Sequence, residues 1–391
     1  MAFYRIDLGI SVPREFAADV CDRLRYAHRA IESVSVDGMD SRHMVVVTAE
    51  EVALEVLQPI LARSVKEMLK AGLSGTTVVL KDRRSQVAPP VKNAFAELLD
   101  RGYVHFTSRG SLAKRGPAFR LMRFLDHRFR NIALEFGALE LELPSCIGSE
   151  TLYKAGHFNA SPQHITFASH LTEDLDFLKL VSESARKGYE EMGNLLDGHL
   201  EHAGACLSPA VCYSYYPTLS NKGLEALDVA TAVSRCYRFE SGRLEGLSRL
   251  WEFTMRELIF VGSANDVQNK RMKSLEAVWE LAESWDLHAW VENANDPFFI
   301  GEFDSRAAFQ RNREMKYELR LTVGEEFSVA ATSFNFHSTS FGKAFNITLP
   351  RGNPACSGCC AWGLERWVLA LFSHFGFEPG RWPAELAEAV W

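Results

Sequence analysis

The order of strand-like and helix-like stretches predicts an α+β fold: an antiparallel sheet with helices on one side, preceded by a smaller α+β module. Three observations carry this expectation. Strand candidates in the second half of the chain follow one another through short loops, without the crossover helices that a parallel sheet requires. The chain has 391 residues, 47% hydrophobic and 24% charged, enough apolar mass for two cores. No sequence period of about 20 to 50 residues recurs, which excludes a repeat array.

At the front, Phe3 to Ile10 alternates like a strand, Arg14 to Ile31 has helical spacing, His43 to Val47 is a short β-branched run, and Glu50 to Leu69 is helical again. Thr76 to Leu80 and Tyr103 to Thr107 read as extended, and the Pro89-Pro90 pair opens a helix to about Leu99. Gly110 to Gly116 reads as a linker, which divides the chain into 1–116 and 117–391. From Ala118 to Leu134 apolar residues keep to one helical face, and the pattern breaks at Gly137 into the alternating stretch Ala138 to Pro144. Strands are then expected at Val233 to Phe239, Leu258 to Val261, Tyr317 to Val323, Val329 to Phe336 and Phe345 to Leu349. Helices are expected at Leu175 to Leu196, Leu247 to Trp251, Asn269 to Trp285 and Leu364 to Phe375.

No apolar run approaches the roughly 18 residues of a membrane span, and the start, Met1 to Asp7, lacks a basic segment followed by an apolar one. Neither secretion nor membrane insertion is expected. Eight unevenly spaced cysteines are too few for a disulfide scaffold and read as reduced thiols of a cytoplasmic protein. The net charge of -7 is asymmetric: residues 1–116 carry about 17 Lys/Arg against 14 Asp/Glu, the remainder about 26 against 36. The basic excess concentrates between Lys81 and Arg115, as either a solvated surface or a dock for an acidic macromolecule.

Two arginines stand out by context. Arg238 lies in Tyr237-Arg-Phe-Glu240 at the end of a strand candidate, and Arg366 lies in Gly363-Leu-Glu-Arg366 at the start of an apolar helix. Guanidinium groups so placed suit bidentate phosphate recognition, and the Gly-punctuated stretch Ser241 to Ser248 between Glu240 and Arg249 reads as a loop able to close over a nucleotide. The run Cys356-Ser-Gly-Cys-Cys360 is a second signal, since thiolates are soft zinc ligands. A four-thiolate site would have to recruit Cys206 or Cys212; a three-ligand site with an open position is the sharper alternative, and buried free cysteines are the plain one.

At this point the string resembles a known superfamily. Phe136-Gly137 to Pro144 resembles motif 1 of class II aminoacyl-tRNA synthetases, Tyr237 through Phe253 resembles motif 2, and Gly363 to Arg366 resembles motif 3, in the right order and spacing. More narrowly, Pro209-Ala-Val-Cys212, Arg249 to Glu257 and Cys359 to Trp367 look like the catalytic core of atypical, zinc-dependent seryl-tRNA synthetases, a core that also occurs in amino acid:[carrier protein] ligases. Glu150 to Phe158, Ala294 to Phe299, Ser333 to His337 and Phe375 to Pro383 are closer to the ligases. Ala361 departs from the glycine of many class II motifs, and residues 1–116 look like a reduced version of the synthetase's tRNA-binding domain, serving to dock the acceptor.

This resemblance implies a homodimer whose 117–391 unit is catalytic. It places zinc on Cys212, Glu257 and Cys359, with the open coordination position taken by the substrate's amino group; Cys360 and Cys356 stay open as alternatives to Cys359. It implies that Arg238 neutralises the α-phosphate of Mg-ATP, Glu240 orients the adenine, Phe253 stacks on it and Arg366 holds the γ-phosphate, with Arg249 and Asn335 also lining the nucleotide and His337 beside them. The expected reaction is activation of glycine, alanine or serine as an adenylate and transfer to the phosphopantetheine thiol of a carrier protein. Charging of tRNA is the second choice.

Overall fold

The computed structural model of the chain describes residues 1–13, 17–37, 40–70, 77–196, 199–240, 246–294, 315–325 and 327–391. At the front, β1 (Ala2–Asp7), β2 (Ile31–Asp37) and β3 (Asp40–Thr48) form an antiparallel sheet in the order β1-β3-β2, covered by the helices Ala17–Leu24 and Leu54–Lys70. Alternation along these strands sends Ile6, Met44 and Val46 inward, onto Leu24, Leu57, Leu61 and Val65.

The other strands follow in chain order: β4 (Val79–Asp82), β5 (Val104–Ser108), β6 (Ser111–Lys114), β7 (Leu139–Glu140), β8 (Cys146–Gly148), β9 (Thr166–Leu171), β10 (Leu200–Leu207), β11 (Asp228–Tyr237), β12 (Glu252–Gly262), β13 (Ala289–Asn293), β14 (Lys316–Gly324), β15 (Phe327–Ser338) and β16 (Cys356–Gly363). Eight of them build one sheet in the order β4-β13-β14-β15-β16-β12-β11-β7. It is antiparallel throughout except at the edge, where β7 runs parallel to β11. The helices Gly116–Glu135, Ala264–Ser284 and Leu364–Phe375 pack on one face. The first starts with Pro117 inside its first turn, buries Leu121, Leu125, Phe129 and Ile132 at helical spacing, and stops before Gly137, whose φ of 80° suits glycine. Phe129 stacks on Trp362 at 5.1 Å between ring centroids, and Trp367 donates to Thr332 Oγ1 at 3.0 Å, tying helices to sheet.

Several expectations differ from what is seen. Gly110 to Gly116 is no linker: Ser111–Lys114 pairs with β5 as a hairpin, and Ala94, Leu98, Val104 and Leu112 belong to the core of the large sheet, as β4 belongs to its edge. The front core takes its buried residues from Ile6 to Met68, so the cores divide before Val79 and residue 116 falls inside the second. Leu175 to Leu196 is two helices, Leu175–Lys187 and Tyr189–Leu196, broken at Gly188 with φ 146°. Phe345 to Leu349 forms no strand; only Thr348 makes isolated bridges, to Gly223 and Pro354. Arg14 and Thr76, which open two expected elements, lie outside the described residues.

Candidate active site

Strand parity separates two chemistries in the centre of the sheet. On β16, Cys356, Cys360 and Trp362 point into the helix-covered core, while Cys359 and Ala361 point to the opposite face. On β12, Leu258 and Phe260 face the helices, while Met255 and Ile259 face away, and Glu257 between them shares their parity. Across the ladder Cys359 is paired with Asn335 of β15 and with Ile259. Gly358 permits this register, because a Cβ there would lie 2.6 Å from Asn335 O and 2.9 Å from Val267 Cγ1.

Over that face the short 3₁₀ turn Val211–Ser214 lays Cys212 against the sheet. One ligand atom each from Cys212, Glu257 and Cys359 lies within 4.8 Å of the others, and all three residues are buried. The carboxylate is fixed by two backbone donors, Val211 N to Oε1 at 3.0 Å and Cys212 N to Oε2 at 3.2 Å. Burial, reinforced by charge on Cys359, pushes the Glu257 carboxyl up to about 8. The Cys212 thiol is pushed up by its hydrogen bond with Cys359 and by burial; Cys359 is held low by that bond and by donors on His337 and Asn335. Two thiols and a carboxylate buried together are costly without a cation and suit a soft divalent one, so the donor set fits zinc with an open position. Asn335 Nδ2 donates to Cys359 Sγ at 3.3 Å, which sets this residue beside the triad.

Next to the triad, Arg238 Nε donates to Pro209 O at 3.0 Å, and its guanidinium carbon lies 5.4 Å from the centroid of Phe253. Arg249 pairs with Glu240 at 2.7 Å. Arg366 donates to Ser248 O and to Ala330 O, each at 2.9 Å. Its enclosure, with Arg249 and Arg238 nearby, lowers it to about 10. Cations gathered in a part-buried site can offset the charge of a bound polyanion. Of the loop expected over the nucleotide, 241–245 lie outside the described residues, as do 295–299 of the Ala294 to Phe299 stretch.

Sequence reasoning gave no role to Tyr216 or Ser357, took Lys114 only as part of the basic stretch, and Glu365 only as part of a motif. His337 Nδ1 lies 3.3 Å from Tyr216 OH and 3.2 Å from Ser357 Oγ, a polar chain flanking Cys359. Its available signal was the alternation Ser333, Asn335, His337 on one strand.

The fold matches that of class II seryl-tRNA synthetases. The structure is similar to the seryl-tRNA synthetase of M. kandleri in its complex with A. aeolicus tRNASec, at a TM-score of 0.71 and 22% identity over 94% of this chain and 75% of that one. It is also similar to the Pyrococcus horikoshii seryl-tRNA synthetase complexed with ATP, at a TM-score of 0.61 and 14% identity over 86% and 80%. By sequence the chain is 30% identical over 264 residues to amino acid–[acyl-carrier-protein] ligase 1 of Bradyrhizobium diazoefficiens, covering 66% of this chain and 77% of that protein. It is 27% identical over 333 residues to the type-2 serine–tRNA ligase of Methanococcus aeolicus, covering 82% and 63%. No family model matches. The chain therefore belongs to the ligase family that amino acid–[acyl-carrier-protein] ligases share with type-2 serine–tRNA ligases, and it spans 55 to 63% of the length of three of the tRNA ligases.

Proposed function

We propose that the chain activates a small amino acid with ATP and transfers it to the phosphopantetheine thiol of a carrier protein. The observation that carries this reading is the adjacency of two groups: the buried Cys212, Glu257, Cys359 triad, whose carboxylate feels Arg238, and the Arg238, Arg249, Arg366 cluster. An amino group and a polyphosphate held at these two places bring the carboxylate of the one towards the α-phosphate of the other. A carboxylate oxygen attacks the α-phosphorus, the bond to the bridging oxygen breaks, and pyrophosphate leaves; the acceptor sulfur then attacks the carbonyl carbon and AMP leaves. Zinc, when bound, supplies a Lewis-acid seat for the amino group. Arg238 and Arg366 offset charge on the phosphates, with Mg²⁺ as counter-ion, and Phe253 offers a ring to the base.

Similarity to the Bradyrhizobium ligase over 77% of its length supports the carrier-protein acceptor. A second reading, aminoacylation of tRNA, is favoured by the 94% coverage of this chain, front module included, by the M. kandleri fold. A homodimer belongs to either reading: β7 ends the sheet and Leu139 on it is 65% exposed, an edge suited to a second copy.

The test offers phosphopantetheinylated carrier proteins and total tRNA in parallel to enzyme, Mg-ATP and glycine, alanine or serine. An aminoacyl mass gain on the carrier alone is expected; charging of tRNA alone would replace the acceptor while keeping the activation step.

A further inference from the structure

The hairpin before the helix Gly116–Glu135 ends in a side chain that reaches the nucleotide half of the site. Lys114 Nζ lies 2.8 Å from Glu365 Oε1, and the two side chains are only 5% and 2% exposed. Glu365 precedes Arg366 and also accepts from Thr254 N at 2.9 Å and Thr254 Oγ1 at 3.0 Å. Thr254 in turn follows Phe253 on β12. One buried carboxylate thus joins three segments distant in sequence: the hairpin β5–β6, the strand carrying Phe253 and the helix start carrying Arg366. Arg235 Nη1 is a weaker neighbour of the same oxygen at 3.9 Å and is 46% exposed.

The stretch between Glu240 and Phe253 is held at two other places, one by the hairpin and one by Phe95 of the helix before it. Gly110 O, at the hairpin turn, accepts from Trp251 N at 2.9 Å. Gly246, with φ 58°, lies so close to Phe95 that a Cβ would sit 2.6 Å from its ring, and Phe95 packs edge-on against Phe106 of β5. Hairpin and nucleotide segment are therefore built as one packed unit.

Resting on the proposed ATP-dependent activation, we propose that Lys114 is a positioning residue: through Glu365 it sets Arg366 and Phe253 at the spacing that ATP requires. It touches no reacting atom. Without its ammonium, Glu365 is left to Thr254 and the distant Arg235, a buried charge short of a partner, and the helix start shifts to relieve it.

The test measures ATP–pyrophosphate exchange and direct ATP binding by calorimetry on full-length Lys114→Met, Lys114→Gln and Lys114→Arg, with zinc content determined in each. Lys114→Met is expected to raise KM for ATP about tenfold, leaving zinc content and KM for the amino acid near wild type, while Lys114→Arg stays within about twofold. A lowered melting temperature with unchanged KM for ATP would overturn the proposal and leave the pair merely structural. Should the methionine variant fail to fold, Lys114→Gln, which keeps a donor but no charge, must show the same rise or the proposal fails. Wild-type protein that binds ATP but exchanges no pyrophosphate would sink the activation reading alone, with calorimetry still deciding Lys114; wild-type protein that binds no ATP would sink both.

Discussion

Arg366 is the residue whose loss should speak most plainly. It holds Ser248 O and Ala330 O through two different N–H groups, so its guanidinium is oriented before any nucleotide arrives. Arg366→Ala is expected to slow amino-acid-dependent pyrophosphate exchange by about 10²- to 10³-fold while leaving zinc content unchanged, measured on the same preparation. Loss of zinc in that variant would mean that the two halves of the site do not fold independently. The arginines were legible in the sequence because their flanking residues resemble known motifs. Glu365 sits in one of those motifs, yet its partner Lys114 lies 251 residues away and sequence carries no sign of that pairing.

At the scale of the strand, β16 shows why the run Cys356 to Cys360 was ambiguous when read as a string. Cys359 and Cys360 are neighbours in sequence but lie on opposite faces, one beside Glu257 and the other among the helices. Sequence reasoning had the thiols but assigned no strand there, since small residues and glycine weaken the β pattern. Cys359→Ser should therefore lose the metal. Cys360→Ser should keep it and destabilise the fold by about 1 kcal/mol, by setting a hydroxyl in the helix-covered core, where Ser274 is a polar neighbour. Metal analysis beside a denaturant titration separates the two, and equal metal loss in both would contradict the parity argument. The expected strand at Phe345 to Leu349 failed for a related reason: its apolar residues Phe345 and Ile347 are buried over the site face by a turn and a bridge, so burial there needs no ladder.

For the whole molecule, β11, β12, β14 and β15 could be laid out from sequence because they are long and rich in apolar residues. The β4–β13 edge of their sheet could not: β4 comes from the front of the chain and β13 was not recognised, so residues 79–114 were grouped with a module whose core they do not share. Charge tells the same story, as residues 1–70 hold nine Lys/Arg against eleven Asp/Glu and the basic excess belongs to the segment packed on the large sheet. Among the described residues no helix is long and apolar enough to cross a membrane. The fold also carries an acid-sensitive joint. His374 accepts from His288 N at Nε2, 3.1 Å away, and faces Ala370 O with Nδ1 at 2.8 Å, a pattern that requires the neutral ring. Burial lowers it from 6.5 to about 4. Unfolded chain thus binds more protons between these values, so stability contributed by His374 is present above pH 6.5 and is lost as pH falls towards about 4. His374→Gln should flatten that part of the melting-temperature profile, and an unaltered slope would contradict the assignment.

On the proposed reading a metal seat for an amino group adjoins an arginine seat for ATP. Pyrophosphate exchange over a panel of amino acids, before and after chelation and after zinc is returned, tests it most directly. Exchange dependent on glycine, alanine or serine, abolished by chelation and restored by zinc, is the predicted result. Exchange that survives complete removal of the metal, or none at all with the metal loaded, would contradict it.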